Sequence, residues 1–176
     1  MKITVLNGSP RAGGNTAIMC EEFARGAADA GHSVEILNVG GKKVAGCLGC
    51  MYCFSHGGVC CQKDDMTEII EKIDASDMIV FASPVYWFDI AAQLKAVIDR
   101  MFVKASVGFN FNKVAMLLNS GDDGVFEAAK TMLASTCAFC RWENLGVVCI
   151  PGMKNKGDMR NSDKLPEVYA FGRSLA

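Results

Sequence analysis

Hydrophobic and polar positions alternate along this chain in two kinds of segment. Short apolar runs predict five β-strands, over residues 3–6, 34–37, 78–82, 114–118 and 145–150, of which 78–82 is apolar on both faces. Longer segments with apolar positions spaced at about 3.6 residues predict helices at about 15–30, 64–74, 90–102, 125–140 and 165–175. The pattern therefore predicts five consecutive β–α units.

This alternation predicts the fold class as α/β, because successive parallel strands need helical crossovers. Five strands fit the flavodoxin-like three-layer sandwich, with a five-stranded parallel sheet in the order 2-1-3-4-5. Glu35 in the middle of the second strand favours an edge position for it. We expect residues 1–176 to form a single domain, with a Gly- and Cys-rich loop insertion at about 39–63.

Ligands of such sheets bind beyond the carboxyl ends of the strands, which directs attention to the loops 7–16, 83–89 and 119–124. The first loop joins a buried strand to a helix start, where unpaired N–H groups and the helix dipole attract an anion. It combines flexible glycines, short polar donors and one permanent charge: Gly8, Gly13, Gly14, Ser9, Asn15, Thr16 and Arg11. A capped helix after a Gly-rich turn would explain the same composition. The loop matches neither a Walker A motif nor a dinucleotide-binding G-x-G-x-x-G motif.

The second loop carries three adjacent aromatic residues, Tyr86, Trp87 and Phe88. A flat apolar ligand would give them a stacking surface, whereas packing under a helix or at a subunit interface would account for them equally. The third loop contains Ser120 and Gly121 among other small polar residues, and such turns are common.

Three motifs together carry a family resemblance: Gly8-Ser9-Pro10-Arg11 with Gly14-Asn15-Thr16, then Ser83-Pro84-Val85-Tyr86-Trp87, then Gln93-Leu94-Lys95-Ala96 with Ile98-Asp99-Arg100. In order and spacing they resemble the NADPH-dependent FMN reductase branch of the flavodoxin-like superfamily, from residue 1 to about 150. The cysteine-rich loop followed by Lys63-Asp64-Asp65-Met66 is similar to that of the iron-sulfur flavoproteins within this branch.

The resemblance implies an FMN-dependent oxidoreductase that takes electrons from NAD(P)H or from a redox protein. It implies that the FMN phosphate is held by Ser9, Arg11, Asn15 and Thr16, and that Pro84, Val85, Tyr86 and Trp87 line the flavin ring and ribityl chain. We expect donors near Ser120 and Gly121 to stabilise negative charge on the reduced ring, and we nominate no catalytic acid or base. Phe88 departs from the family, whose members commonly carry Gly there, and it would narrow access to the flavin or add a stacking surface.

The chain contains nine cysteines, of which Cys20, Cys137 and Cys149 lie in apolar surroundings and are predicted to be core thiols. Five others crowd into the segment 47–61. The spacing Cys47-x2-Cys50-x2-Cys53-x6-Cys60 is typical of iron–sulfur ligation and predicts a [4Fe–4S] cluster, with Cys61 pointing away as a spare. Thiols without metal, or a zinc ion, remain open alternatives.

The remaining features set the expected partners. An odd number of cysteines without an export signal predicts reduced thiols and a cytoplasmic location. A net charge of −1, no basic block and no apolar run long enough to cross a bilayer argue against nucleic acid and membrane. The aromatic and cysteine loops predict exposed apolar surface, hence a homodimer or tetramer.

Two other functions stay open: a non-catalytic electron carrier, and a metal-binding interaction module whose FMN site has decayed.

Overall fold

The computed structural model describes residues 1–175 as strands and helices that alternate for most of the chain. The strands are β1 Lys2–Asn7, β2 Ser33–Asn38, β3 Met78–Tyr86, β4 Asp89–Ile90, β5 Lys113–Asn119 and β6 Glu143–Ile150. The helices are α1 Asn15–Asp29, α2 Tyr52–Ser55, α3 Met66–Asp74, α4 Ala92–Arg100, α5 Glu127–Cys140 and α6 Leu165–Arg173. Three short 3₁₀ segments lie at Val39–Gly41, Met101–Lys104 and Asp158–Asn161.

The five long strands form one parallel sheet in the order β2-β1-β3-β5-β6. This confirms the predicted flavodoxin-like order, in which the first and third strands are neighbours. The strand β2 lies at one edge, as its Glu35 indicated, and that carboxylate pairs there with Lys72 of α3 at 2.8 Å. The carboxyl ends of β1, β3, β5 and β6 meet at one edge of the sheet and place their loops side by side.

Two cores flank the sheet and make the fold a three-layer sandwich. One contains α1 and α6, with Phe23 and Val168 packed on strand residues that include Ile3 and Val80. The opposite core contains α3, α4 and α5, packed on other strand residues such as Leu6 and Phe81.

The helices α1 and α6 approach each other at two glycines. A Cβ atom on Gly26 would lie 2.1 Å from the carbonyl oxygen of Tyr169, and one on Gly172 would lie 2.3 Å from the carbonyl oxygen of Phe23. Neither position has space for a side chain, so the last helix is fixed closely against the first.

The third strand differs from the sequence-based expectation, which ended it at residue 82 and treated 83–89 as a loop. Instead β3 continues to Tyr86 and turns back into β4, which pairs antiparallel with it. A side-chain hydrogen bond joins the two arms of this hairpin, because Ser83 Oγ accepts from the Ala91 N–H at 2.9 Å. Helix α4 consequently begins at Ala92 and not at the expected residue 90, since Ile90 is paired with Val85.

The predicted loop insertion at 39–63 begins with a 3₁₀ turn and contains the single helical turn α2, while the rest is irregular. It ends at α3, where the carboxylate of Asp64 accepts a hydrogen bond from the Met66 N–H at 3.1 Å. Among residues 1–175, no helix is long and apolar enough to cross a membrane.

Candidate functional site

A polar cavity opens at the carboxyl edge of the sheet, between the ends of β1, β3, β5 and β6. Every residue predicted to contact FMN lines it except Trp87. The lining residues are Ser9, Arg11, Asn15, Thr16, Pro84, Val85, Tyr86, Asn119, Ser120, Gly121, Met153 and Lys156. Three loops singled out from the sequence thus meet at one place, joined by a fourth that follows β6.

The first loop is shaped by its own side chains. Asn7 Oδ1 accepts a hydrogen bond from the Ser9 N–H at 3.1 Å, and Ser9 Oγ accepts one from the Arg11 N–H at 3.2 Å. The loop runs so close to α4 that a Cβ on Gly8 would lie 2.5 Å from Leu94 Cβ. This contact explains why the glycine and leucine motifs of the sequence occur together: one packs on the other.

The start of α1 is arranged to attract an anion. Gly14 precedes the helix, no side chain caps it, and its first turn contains no acidic residue. Arg11 and Lys156 project beside it, and neither forms an ion pair with any residue of the described range. Two unpaired cations and free helix N–H groups therefore face the same cavity.

Two polar residues of this helix start are already engaged with the protein. The Asn15 amide donates to the carbonyl oxygen of Asn155 at 2.8 Å, and its Oδ1 accepts from the N–H groups of Gly157 and Met159 at 2.9 and 3.2 Å. Asn15 therefore connects the first loop to the segment after β6. Thr16 Oγ1 accepts a hydrogen bond from Asn119 Nδ2 at 2.8 Å, and its hydroxyl proton remains available.

The sequence reasoning missed the contribution of the segment after β6, namely Met153 and Lys156, as well as that of Asn119. A usable indication was present, because the last strand also ends at the carboxyl edge and is followed by Pro151-Gly152 and two lysines. Asn119, as the last residue of β5, lies at that same edge.

The aromatic residues of the second loop separate in the structure. Tyr86 lines the cavity, whereas Trp87 and Phe88 form the tip of the β3–β4 hairpin with φ values of 48° and 69°. Positive φ at both central residues defines a type I′ turn, normally built from Gly, Asn or Asp. Trp87 is 94% exposed and Phe88 60% exposed, so this conformation does not bring Trp87 to the predicted ligand surface.

A second, smaller cavity lies in the 39–63 loop. The start of this loop packs on the first loop, since a Cβ on Gly40 would lie 2.3 Å from the Ser9 carbonyl oxygen. All five clustered cysteines line the second cavity, together with Arg100 and Phe102: Cys47, Cys50, Cys53, Cys60 and Cys61. Cys50 Sγ and Cys61 Sγ are 3.7 Å apart, so Cys61 lies with the other thiols here, and its place as a spare beside a bound cluster stays a prediction. The backbone N–H of Tyr52 and the neighbouring Cys61 thiol lower the pKa of Cys50.

Arg100 forms the floor of the cysteine cavity, and its side chain is 1% exposed. Its guanidinium donates to both carboxylate oxygens of Asp64, at 2.7 and 3.1 Å, and to the Ala45 carbonyl oxygen at 2.9 Å. Burial alone would raise the pKa of Asp64, but the hydrogen bonds from Arg100 and from the N–H groups of Ala45 and Met66 outweigh it and lower that pKa. The ion pair therefore stays charged at neutral pH.

One donor of Arg100 is unused. Its Nε–H is buried and has no acceptor within the described residues. A buried donor without an acceptor is costly, and an anionic sulfur in the adjacent cavity would satisfy it. The thiol-rich lining fits a sulfur-bound metal group, although no three Cys, His, Asp or Glu side chains of residues 1–175 are placed to hold a metal ion together. The thiols would have to converge on binding.

The other cysteines behave as ordinary packing residues. Cys20 and Cys137 are buried, and burial raises the pKa of each thiol. Cys140 and Cys149 are partly buried, and Cys149 packs against the edge of the core. All nine cysteines are free thiols in the structure.

The chain is similar to known flavoproteins. The sequence model of the NADPH-dependent FMN reductase family matches residues 1–151. An iron-sulfur flavoprotein of Archaeoglobus fulgidus is 39% identical over 101 residues, which cover 57% of this chain and 46% of that protein. An iron-sulfur flavoprotein of Methanosarcina thermophila is 37% identical over 122 residues, which cover 69% of this chain and 63% of that protein. The chain thus spans about half to under two thirds of the length of these curated relatives.

A solved structure gives the same fold over the whole length. An NAD(P)H:quinone oxidoreductase from Methanothermobacter marburgensis superposes with a TM-score of 0.79 and covers 99% of this chain and 96% of its own. Its sequence identity is 22%, so the likeness concerns the fold alone.

Proposed function

The chain belongs to the NADPH-dependent FMN reductase family, and we propose that it binds FMN at the carboxyl edge of its sheet and acts as an NAD(P)H-dependent oxidoreductase. We also propose that residues 1–176 form a single FMN-binding domain with the cysteine loop as an insertion. The nine free thiols favour the reducing environment of the cytoplasm.

One observation carries the proposal: three separate loops bring Ser9, Arg11, Tyr86 and Ser120 to a single cavity at the sheet edge. Only a ligand with an anionic end and a broad polar body would use such a lining fully. The unpaired Arg11 and Lys156 and the free N–H groups of α1 support a phosphate at one end of the cavity.

The roles of individual residues follow from their partners. Ser9 and Thr16 would offer hydroxyl donors to the phosphate, and Arg11 a permanent charge. The FMN phosphate was also predicted to contact Asn15, but because the side chain of Asn15 is engaged with the 153–159 segment, we propose that it holds the rim of the cavity.

The opposite end of the cavity would receive the flavin. The segment Pro84, Val85 and Tyr86 would line the ring and ribityl chain, and Ser120 with Gly121 would face the electron-rich edge of the reduced ring. Bound FMN would supply the redox chemistry, accepting a hydride from NAD(P)H or single electrons from a redox protein. The protein residues bind and orient the cofactor.

Absorbance and turnover test this function. We expect the purified protein to carry about one FMN per chain and to oxidise NADPH or NADH in the presence of a quinone acceptor. A flavin-loaded protein with no nicotinamide oxidation would instead indicate an electron carrier. Failure to bind FMN at micromolar concentration would indicate a decayed site and refute the proposal.

We further propose that Cys47, Cys50, Cys53 and Cys60 can hold a [4Fe–4S] cluster, with the orphaned Nε–H of Arg100 donating to one of its sulfurs. The test is anaerobic purification after growth with added iron. We expect about four irons per chain, lost in Cys50→Ser and retained in Cys140→Ser, whose thiol lies on α5. Stoichiometric FMN without iron would leave a plain flavin reductase.

A further inference from the structure

Cys61, the fifth cysteine of the loop, is not one of the four proposed cluster ligands, yet its thiol lies beside another thiol in the structure. Cys61 Sγ lies 3.7 Å from Cys50 Sγ, and both residues are exposed. The adjacent Cys60 instead faces the buried Arg100 at the floor of the cavity. Neighbouring positions in the chain therefore have opposite partners, one a thiol and the other a guanidinium.

Geometry permits these two sulfurs to bond. A disulfide needs a sulfur–sulfur separation of about 2.0 Å, so the pair must close by under 2 Å. The loop can make that movement, because the cysteine turn contains Gly49 with φ +63° and Met51 with φ 58°, and both lie in an irregular exposed segment. Both cysteines lie outside the strands of the sheet.

We propose that Cys50 and Cys61 are a peroxide-reactive thiol pair, which forms a reversible intramolecular disulfide when the loop holds no metal. The proposal concerns the metal-free chain and does not depend on bound FMN. Oxidation would remove Cys50 from the set of free thiolates, so the disulfide and a metal group would exclude each other.

The chemistry balances in two steps. One thiolate attacks an oxygen of hydrogen peroxide, so that an S–O bond forms, the O–O bond breaks and the departing hydroxide takes up a proton as water. The second thiol then attacks the sulfenic sulfur, so that the S–S bond forms, the S–O bond breaks and the hydroxyl group leaves with the thiol proton as water. Two thiols and one peroxide give one disulfide and two waters, and the two electrons come from the two sulfurs.

The test uses metal-free, pre-reduced full-length protein treated with one equivalent of hydrogen peroxide. Cleavage after aromatic residues cuts the chain at Tyr52 and Phe54, between Cys50 and Cys61, so a disulfide would appear as two linked peptides in mass spectrometry. Treatment with a thiol reductant should separate them.

Adjacent serine variants identify the partner. We expect Cys60→Ser to form the linked peptides at a rate within about twofold of the unmodified protein, and Cys61→Ser to be slower by about tenfold or more, because the remaining thiols must travel farther to bond. Cys61→Ser should instead accumulate a sulfenic acid that a dimedone-type reagent traps at Cys50. The proposal is wrong if Cys61→Ser still links Cys50 at the original rate, or if peroxide links different chains instead.

Discussion

Asp64 and Arg100 join two distant segments of the chain through two charge-assisted hydrogen bonds, 2.7 and 3.1 Å long. Asp64 ends the cysteine loop and Arg100 ends α4, so their ion pair fastens the loop to the body of the sandwich. The same guanidinium also donates to the Ala45 carbonyl oxygen inside the loop. This pair explains why the two motifs that contain these residues occur in one sequence.

We predict that Asp64→Asn destabilises the protein by about 3–5 kcal/mol, because it leaves a buried guanidinium without a counter-charge. Chemical denaturation measures the effect. Asp99→Asn is the matched control: Asp99 pairs with Lys95 on the exposed face of α4, and its loss should cost about 0.5 kcal/mol or less. Equal effects of the two variants would contradict the structural role of the buried pair.

The same pair predicts a pH dependence. The pKa of Asp64 is lower in the folded protein than the ordinary value of about 3.9 in the unfolded chain. A depressed carboxyl pKa contributes stability above the unfolded value, and this stability is lost as the pH falls towards the folded value. We therefore expect the free energy of unfolding to fall more steeply below about pH 4 in the unmodified protein than in Asp64→Asn. Parallel curves for the two proteins would refute this.

Arg11→Ala tests the phosphate end of the edge cavity. Loss of a charge-assisted donor should weaken FMN binding by about 1.5–3 kcal/mol and leave the binding of riboflavin, which lacks the phosphate, nearly unchanged. Arg25→Ala is the control, because Arg25 lies exposed on α1, away from the cavity, and pairs with Glu22. If Arg11→Ala weakens both flavins equally, Arg11 does not contact the phosphate.

Asn15→Ala should behave differently, although both residues come from the same motif. Its amide holds backbone groups of Asn155, Gly157 and Met159, so its loss should destabilise the protein by about 1–3 kcal/mol and loosen the rim of the cavity. FMN and riboflavin should then weaken together. A loss confined to FMN, with stability unchanged, would restore Asn15 as a phosphate ligand.

Much of the fold could be predicted from local sequence patterns. The features that could not be predicted depend on contacts between distant segments of the chain. Apolar runs and helix periodicity were enough for the strand order, because parallel strands with short connections leave few topologies. The role of Asn15 could not be predicted, since its partners lie about 140 residues further along the chain. The hairpin at Trp87 was missed because a type I′ turn normally needs Gly or Asn, and aromatic residues gave no such indication.

The sequence also could not predict which of the clustered thiols contact one another. The spacing assigned Cys60 to the last position of the cysteine set and left Cys61 as a spare, without indicating what Cys61 would contact. Only the fold places Arg100 against one and Cys50 against the other. Arg100 lies about 40 residues further along the chain, so the spacing of the cysteines could not indicate which of them it contacts.

The hairpin tip gives the last prediction, because it combines backbone strain with exposure. Phe88 adopts a φ of 69°, which costs a non-glycine residue roughly 1 kcal/mol, so Phe88→Gly should stabilise the isolated chain by about that amount. Phe88 is 60% exposed and its ring lies edge-on to that of Trp87, so the strained tip presents two aromatic side chains to its surroundings.

We propose that this aromatic tip forms part of the interface of a homodimer or tetramer. Phe88→Gly should then raise the midpoint of thermal unfolding of dilute protein while weakening self-association in sedimentation at micromolar concentration. Phe139→Ala is the control, since Phe139 is also an exposed aromatic, at 89%, but lies on α5 with ordinary helical geometry. A monodisperse monomer for the unmodified protein would exclude the interface, and an unchanged stability in Phe88→Gly would exclude the strain.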